Sequence, residues 1–244
     1  MLTFFTSCCP FEGRRLIAQE NAIESWIKLG QDCEIIILGK EKNLSEITKQ
    51  YNIMCDQNIK YSEFKVPFVS SLFKRAEQIA KFDILCYVNC DIILLSDFLP
   101  AIKTITRQFK QLLAVGQRWD VEITEKINYN NKEWEKNLLE MIRQKGKLHS
   151  PSGMDYFIFR KGLWANIPDF SLARQRFDNW FVWDAIRRKI PTVDITQSVT
   201  VIHQTHPRLI NPTEFRKNIE LGRGKMKDAC HTEWMLIEGK LKKR

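Results

Sequence analysis

Cys86-Tyr87-Val88-Asn89-Cys90-Asp91-Ile92-Ile93-Leu94 decides how the rest of this chain is read. The apolar run over residues 84–88 is a strand buried on both faces, and it ends on an Asn-x-Asp tip. In an open α/β sheet such a strand end opens onto the ligand crevice. Asn and Asp also end strands for purely conformational reasons, so the tip gains meaning from its surroundings.

Working outward, residues 2–6 form a first strand, and Ile23, Trp26 and Ile27 mark the inner face of a helix that Gly30 stops. Residues 34–39 are a second buried strand. A short helix over 44–50 leads to a weak strand at 53–55. The cleanest helical stripe is Val69, Leu72, Phe73, Ala76, Ile79 and Ala80, which begins just after Pro67 and runs into the 84–88 strand. Beyond the tip come a helix over 98–109, a strand over 112–116 leading into Gln117-Arg118-Trp119-Asp120, a polar loop over 125–136, and a helix bearing Trp134, Leu138, Met141 and Ile142. Repeated strand-helix-strand units predict an α/β fold with a mostly parallel sheet covered on both faces. From Ser150 onward, short strands punctuated by Gly and Pro predict a mixed subregion on the same sheet.

With 244 residues the chain is long enough for one large domain, and 44% hydrophobic with 27% charged residues is ordinary globular composition. No stretch approaches the ~18 apolar residues of a membrane span. Residues 2–11 lack a basic leader and a small-residue cleavage site, so they read as a strand and not a signal peptide. Seven cysteines, an odd number without zinc-site spacing, read as reduced core thiols in a cytoplasmic protein. The net charge of +9 is uneven, with nine Lys/Arg against five Asp/Glu from residue 214 to the end. That surface suits phosphorylated substrates, anionic lipid or simple solvation, and no aromatic-interleaved basic cluster calls for a specific nucleic-acid partner.

Four motifs occur in order: Asn89-Cys90-Asp91 after a strand, Ser152 to Arg160 around Gly153 and Asp155, Arg176-Phe177-Asp178-Asn179-Trp180, and Val201-Ile202-His203-Gln204. In this order and spacing the chain resembles the GT-A-fold glycosyltransferases that use nucleotide-diphosphate sugars, particularly small inverting ones, over roughly residues 2–206. The resemblance implies a central, mostly parallel mixed sheet flanked by helices. It implies a catalytic domain over residues 1–206, with a nucleotide-binding half over 1–118 and an acceptor half over 119–206. The basic extension 207–244 then packs on or next to that domain and is open to peripheral membrane or protein contacts. The implied reaction moves a sugar, with UDP as the default nucleotide, onto a hydroxyl of a glycan or glycoconjugate.

Such chemistry needs a cation to stabilise the departing diphosphate and a carboxylate to take the acceptor's proton. The resemblance assigns the metal to Asp91 and His203, with His206 as competing ligand; an imidazole beside oxygen ligands favours Mn²⁺ over Mg²⁺. The chain departs from the family's acidic pair at Asn89, which is left to contact ribose or water. Asp178 is the expected base, with a helix cap as its structural alternative, and one residue can do both. Asp155 is the second base candidate and otherwise binds hydroxyls, because an unpaired Asp in an apolar run is costly to bury. Thr6, Ser7 and Glu41 fall at the ends of the first two strands, where base and ribose are held, and Lys74 and Arg75 are placed to approach phosphate. Arg118, Asp120, Gly153 and Trp180 are the expected sugar contacts on the acceptor side. Two other readings stay open: a sugar-nucleotide nucleotidylyltransferase, which lacks its Gly-rich phosphate loop here, and a non-catalytic carbohydrate- or nucleic-acid-binding module on the same scaffold.

Overall fold

The computed structural model describes residues 1–172, 176–206 and 212–244. The first half alternates as expected: β1 (Leu2–Thr6), α1 (Gly13–Lys28), β2 (Cys33–Leu38), α2 (Leu44–Gln50), β3 (Met54–Asp56), α3 (Val69–Ile79), β4 (Ile84–Val88), β5 (Ile92–Leu94), α4 (Phe98–Gln108) and β6 (Leu113–Val115). The second half is more broken: β7 (Trp119–Val121), α5 (Trp134–Lys145), β8 (Lys147–Leu148), β9 (Tyr156–Arg160), α6 (Phe177–Arg187), β10 (Thr192–Asp194), β11 (Val201–Gln204), α7 (Pro212–Leu221), β12 (Trp234–Ile237) and β13 (Lys240–Lys243).

Among the described residues nine strands form the large sheet, in the order β13-β12-β10-β6-β9-β4-β1-β2-β3. The pairs β1/β2, β1/β4 and β2/β3 are parallel, whereas β9 runs antiparallel between β4 and β6. Because side chains alternate across a strand, Phe4 and Phe5 enter opposite cores. Phe4 packs with Trp26 and Phe98, and Phe5 with Phe73, Tyr87 and Phe159. The chain steps outward from β1 to β2 and β3 and then returns to β4 on the other flank of β1. The reversal opens a crevice at the carboxyl ends of β1 and β4. Ile27, expected on the inner face of α1, is 39% exposed, since that helix turns Ala22, Ile23 and Trp26 inward.

A second sheet, in the order β5-β11-β7-β8, stands at this crevice. It packs on α5 through Ile93, Val121, Leu138, Ile142 and Ile202. Its register matters for the site: β11 is antiparallel to β5 with His203 opposite Ile92, and parallel to β7 with His203 opposite Asp120. Buried Gln204 holds that placement by donating to the carbonyls of Ala18 and Asp91 at 2.7 and 3.1 Å. Its Oε1 accepts from Asn21 Nδ2 at 2.9 Å, while Asn21 also holds the backbone of Glu125 and Ile127. Replacing fully buried Asn21 with alanine strands three of these groups, and urea denaturation should show a loss of about 3 kcal/mol.

Cys8 and Cys90, both buried just beyond the ends of β1 and β4, are joined by a disulfide with a Cα–Cα distance of 5.5 Å. This corrects the expectation of reduced thiols throughout, because parallel pairing of β1 with β4 sets the residues following the two strands side by side. At the other end of the sheet, β12 adds parallel to β10 and β13 returns antiparallel to β12, so residues 234–243 are strands of the large sheet. The first residues of the expected extension, 207–211, lie outside the described residues. Among the described residues no helix is long and apolar enough to cross a membrane.

Candidate active site

Asp91 follows the turn after β4, and the register of the small sheet brings both candidate histidines to it. His206 Nε2 is 2.8 Å and His203 Nε2 3.6 Å from Asp91 Oδ2. One ligand atom from each of the three residues lies within 4.8 Å of the others. Asp91 Oδ1 is buried with no hydrogen-bond partner among the described residues. Burial pushes the Asp91 carboxyl up, but the two imidazoles facing it outweigh burial and hold the group well below the carboxylate range. His203 is shifted in the opposite sense: burial lowers it, and Asp91 raises it by more. A carboxylate and two imidazoles converging with an orphaned oxygen are a donor set that fits a divalent cation of the Mn²⁺ type.

Behind this cluster runs a chain of charged contacts. Asp120 Oδ1 meets His203 Nδ1 at 2.9 Å and Arg118 Nε at 3.1 Å, and its Oδ2 meets His149 Nδ1 at 2.7 Å. Arg118, 5% exposed, also binds Asp155 through its Nη1. Asp155 Oδ1 accepts from Asn89 Nδ2 at 2.6 Å, and Asn89 Oδ1 accepts from the Tyr87 hydroxyl at 2.7 Å. Asn89 and Asp155 are thus held by one another, which removes the cost of burying Asp155 within an apolar strand entry. The Tyr87 hydroxyl lies within the electrostatic reach of Asp155, Asp91 and Asp178 together.

Asp178 stands in the first turn of α6, where its Oδ1 accepts the N–H of Asn179 at 2.9 Å. The N-cap position belongs to Arg176, which has a left-handed backbone (φ 92°). Burial, reinforced by the charge of Asp155, pushes the Asp178 carboxyl up to about 7. Asn179 ties this turn to the loop before β9 and to the C-terminal segment, donating to the carbonyls of Ser152 and Lys227 at 3.2 Å each.

On the β1–β2 side, Ser7 Oγ, Glu41 Oε2 and the Tyr61 hydroxyl are buried without hydrogen-bond partners among the described residues. Gly39 (φ 149°) sits between the first two: a Cβ there would lie 2.2 Å from Glu41 Oε2 and 3.3 Å from Ser7 Oγ. Burial raises the Glu41 carboxyl, and two such polar atoms on either side of a glycine mark a place built for a polar ligand. Thr6 ends β1 fully buried, with its hydroxyl on the Ser7 carbonyl.

Two expected contacts lie elsewhere. Arg75 forks onto Asp56 at the end of β3, with Nε–Oδ1 of 2.9 Å and Nη2–Oδ2 of 2.5 Å, so its guanidinium is committed to that carboxylate and not to phosphate. Trp180 is 5% exposed among Trp164, Phe170 and Phe181, which leaves no open ring face for a sugar. Sequence reading missed Tyr61 and His149. The imidazole of His149 packs on Gly153, where a Cβ would come within 2.5 Å of it. A lone His after a helix carries no periodic signal; pairing of β7 with β8 alone brings it to Asp120.

Comparison with solved structures decides the architecture. The S. aureus TarS 1–349 fragment, whose structure contains UDP-GlcNAc, superposes with a TM-score of 0.56 at 11% identity over 90% of this chain; the chain spans 64% of that fragment's length. M. tuberculosis glucosyl-3-phosphoglycerate synthase superposes with a TM-score of 0.55 at 13% identity, covering 93% of this chain and 82% of the synthase. The chain has the GT-A fold. A further structure of that synthase, solved with Mn²⁺, UDP and phosphoglyceric acid, gives a TM-score of 0.52 at 14% identity over 85% of this chain and 72% of the synthase. No protein-family model and no curated protein sequence matches the chain.

Proposed function

We propose that this GT-A chain is a metal-dependent glycosyltransferase that moves a sugar from a nucleotide-diphosphate donor, UDP by default, to a hydroxyl of a glycan or glycoconjugate. The observation that carries the reading is the Asp91–His203–His206 cluster at the end of β4, with its orphaned buried carboxylate oxygen. It is supported by the unpaired Ser7, Glu41 and Tyr61 atoms beside the same crevice and by the UDP and Mn²⁺ present in the structural neighbours. Residues 1–118 would hold the donor and 119–206 the acceptor.

Asp91, His203 and His206 would hold the cation, which when bound supplies Lewis-acid stabilisation of the diphosphate leaving group. Ser7 and Glu41 take ribose hydroxyls or polar groups of the base. Asp155, oriented by Arg118 and Asn89, offers its carboxylate to sugar hydroxyls. Asp178 takes the acceptor's proton as the hydroxyl oxygen bonds to the anomeric carbon and the bond to the diphosphate breaks, in a single displacement with inversion. A carboxyl near 7 is poised for that role at neutral pH.

A thermal-shift titration tests the reading. UDP with Mn²⁺ should raise Tm by several degrees more than UDP or Mn²⁺ alone, because ligands that bind only the native state stabilise it by mass action. A flat response to uridine, guanosine and thymidine diphosphates, with and without metal, would sink it.

A further inference from the structure

We infer that Asp120 is a positioning residue that sets the tautomers of two histidines at once, one in the metal cluster and one at the acceptor side. The inference rests on the metal reading above for its consequence, though not for its geometry.

A carboxylate only accepts hydrogen bonds, so an imidazole nitrogen bonded to it carries the proton and the other nitrogen of the neutral ring presents a lone pair. Asp120 Oδ1 lies 2.9 Å from His203 Nδ1, which leaves His203 Nε2 as the lone-pair atom facing Asp91 Oδ2 at 3.6 Å. Its other oxygen lies 2.7 Å from His149 Nδ1, which leaves His149 Nε2 as an acceptor on the Gly153 side. Both oxygens are used, and Arg118 Nε at 3.1 Å holds the group in place. The backbone sets this arrangement, since Asp120 is the register partner of His203 on one side and of Lys147, two residues before His149, on the other. A carboxylate behind a metal-ligating histidine fixes ring orientation and raises ligand basicity, and removing one typically costs 10–100-fold in metal affinity. Here the same carboxylate also anchors the loop carrying Gly153, so the metal cluster and the acceptor-side loop share one support.

The decisive measurement is long-range ¹H–¹⁵N NMR of the metal-free full chain at about pH 9, above the ordinary imidazole range, with signals assigned through His203→Gln and His149→Gln. Both rings should carry the proton on Nδ1. A proton on Nε2 of His203 overturns the inference, whether or not any variant folds. In Asp120→Asn, whose fold is checked by near-UV circular dichroism, the Mn²⁺ dissociation constant read by EPR should rise about 10-fold or more. His149→Gln should stay within about twofold of wild type, because it lies outside the cluster. An unchanged Mn²⁺ constant in folded Asp120→Asn also overturns the inference. If the wild-type chain binds no Mn²⁺, the metal reading fails, and the tautomer result still decides the role of Asp120.

Discussion

Asp91→Asn is expected to lower kcat/KM for sugar transfer by at least ~10³-fold, the scale on which charge stabilisation of a leaving group acts. The substitution keeps size and shape but removes the only formal negative charge in the three-residue cluster. It also turns half of the carboxylate into an amide nitrogen, which offers a cation no ligand oxygen. The paired readouts are Mn²⁺ affinity by EPR and the metal-dependent part of the UDP thermal shift, both of which should vanish, while any metal-independent UDP shift persists through Ser7 and Glu41. Activity within tenfold of wild type would reduce Asp91 to a residue that shapes the turn after β4.

Asp178→Asn should separate activity from stability. As the proposed base its loss costs about 10²–10⁴-fold in kcat, yet the variant should be the more stable protein above neutrality. The folded-state carboxyl is raised from 3.8 to about 7, so between these values the native state binds a proton that the unfolded chain has released. Native stability therefore falls as pH rises through this window, and above about 7 the full penalty is present. Asparagine never ionises, so its advantage should be nil at about pH 4 and on the order of 2–4 kcal/mol at about pH 8, trimmed by solvent screening because Asp178 is only half-buried. Denaturation midpoints of the two proteins across this range give the comparison directly. A gap that stays constant with pH would mean that Asp178 is ionised at an ordinary value and is not tuned as a base.

The parts of the fold legible in the sequence are those where burial imposes a strong period. β1, β2 and β4 are apolar runs because both faces of the sheet are covered, and α3 shows its stripe because a single face meets Phe5, Tyr87 and Phe159. The small sheet left no such trace. Its strands are two to four residues long, too short for alternation to register, and they pair residues far apart in the chain. That is why Asp91, His203 and His206 could be named from order and resemblance, whereas Asp120 read as a sugar contact and His149 was not singled out. Arg75 and Trp180 misled for opposite reasons: a cation on a helix near a crevice found a closer carboxylate, and a large aromatic found a core. Tyr61, bracketed by Lys40 in a cation–π contact at 4.7 Å, lies in an irregular stretch where no periodicity applies.

The parallel pairing of β12 with β10 has a consequence for synthesis of the protein. A nascent chain leaves the ribosome N-terminus first, so the flank of β10 waits uncovered until residues 234–243 emerge. During that interval a row of unpaired backbone groups is exposed to other growing chains. Expression hosts with slow translation or depleted chaperones should lose this protein to inclusion bodies, and stop codons placed before residue 234 should behave like aggregation mutants even though they leave every proposed catalytic group intact.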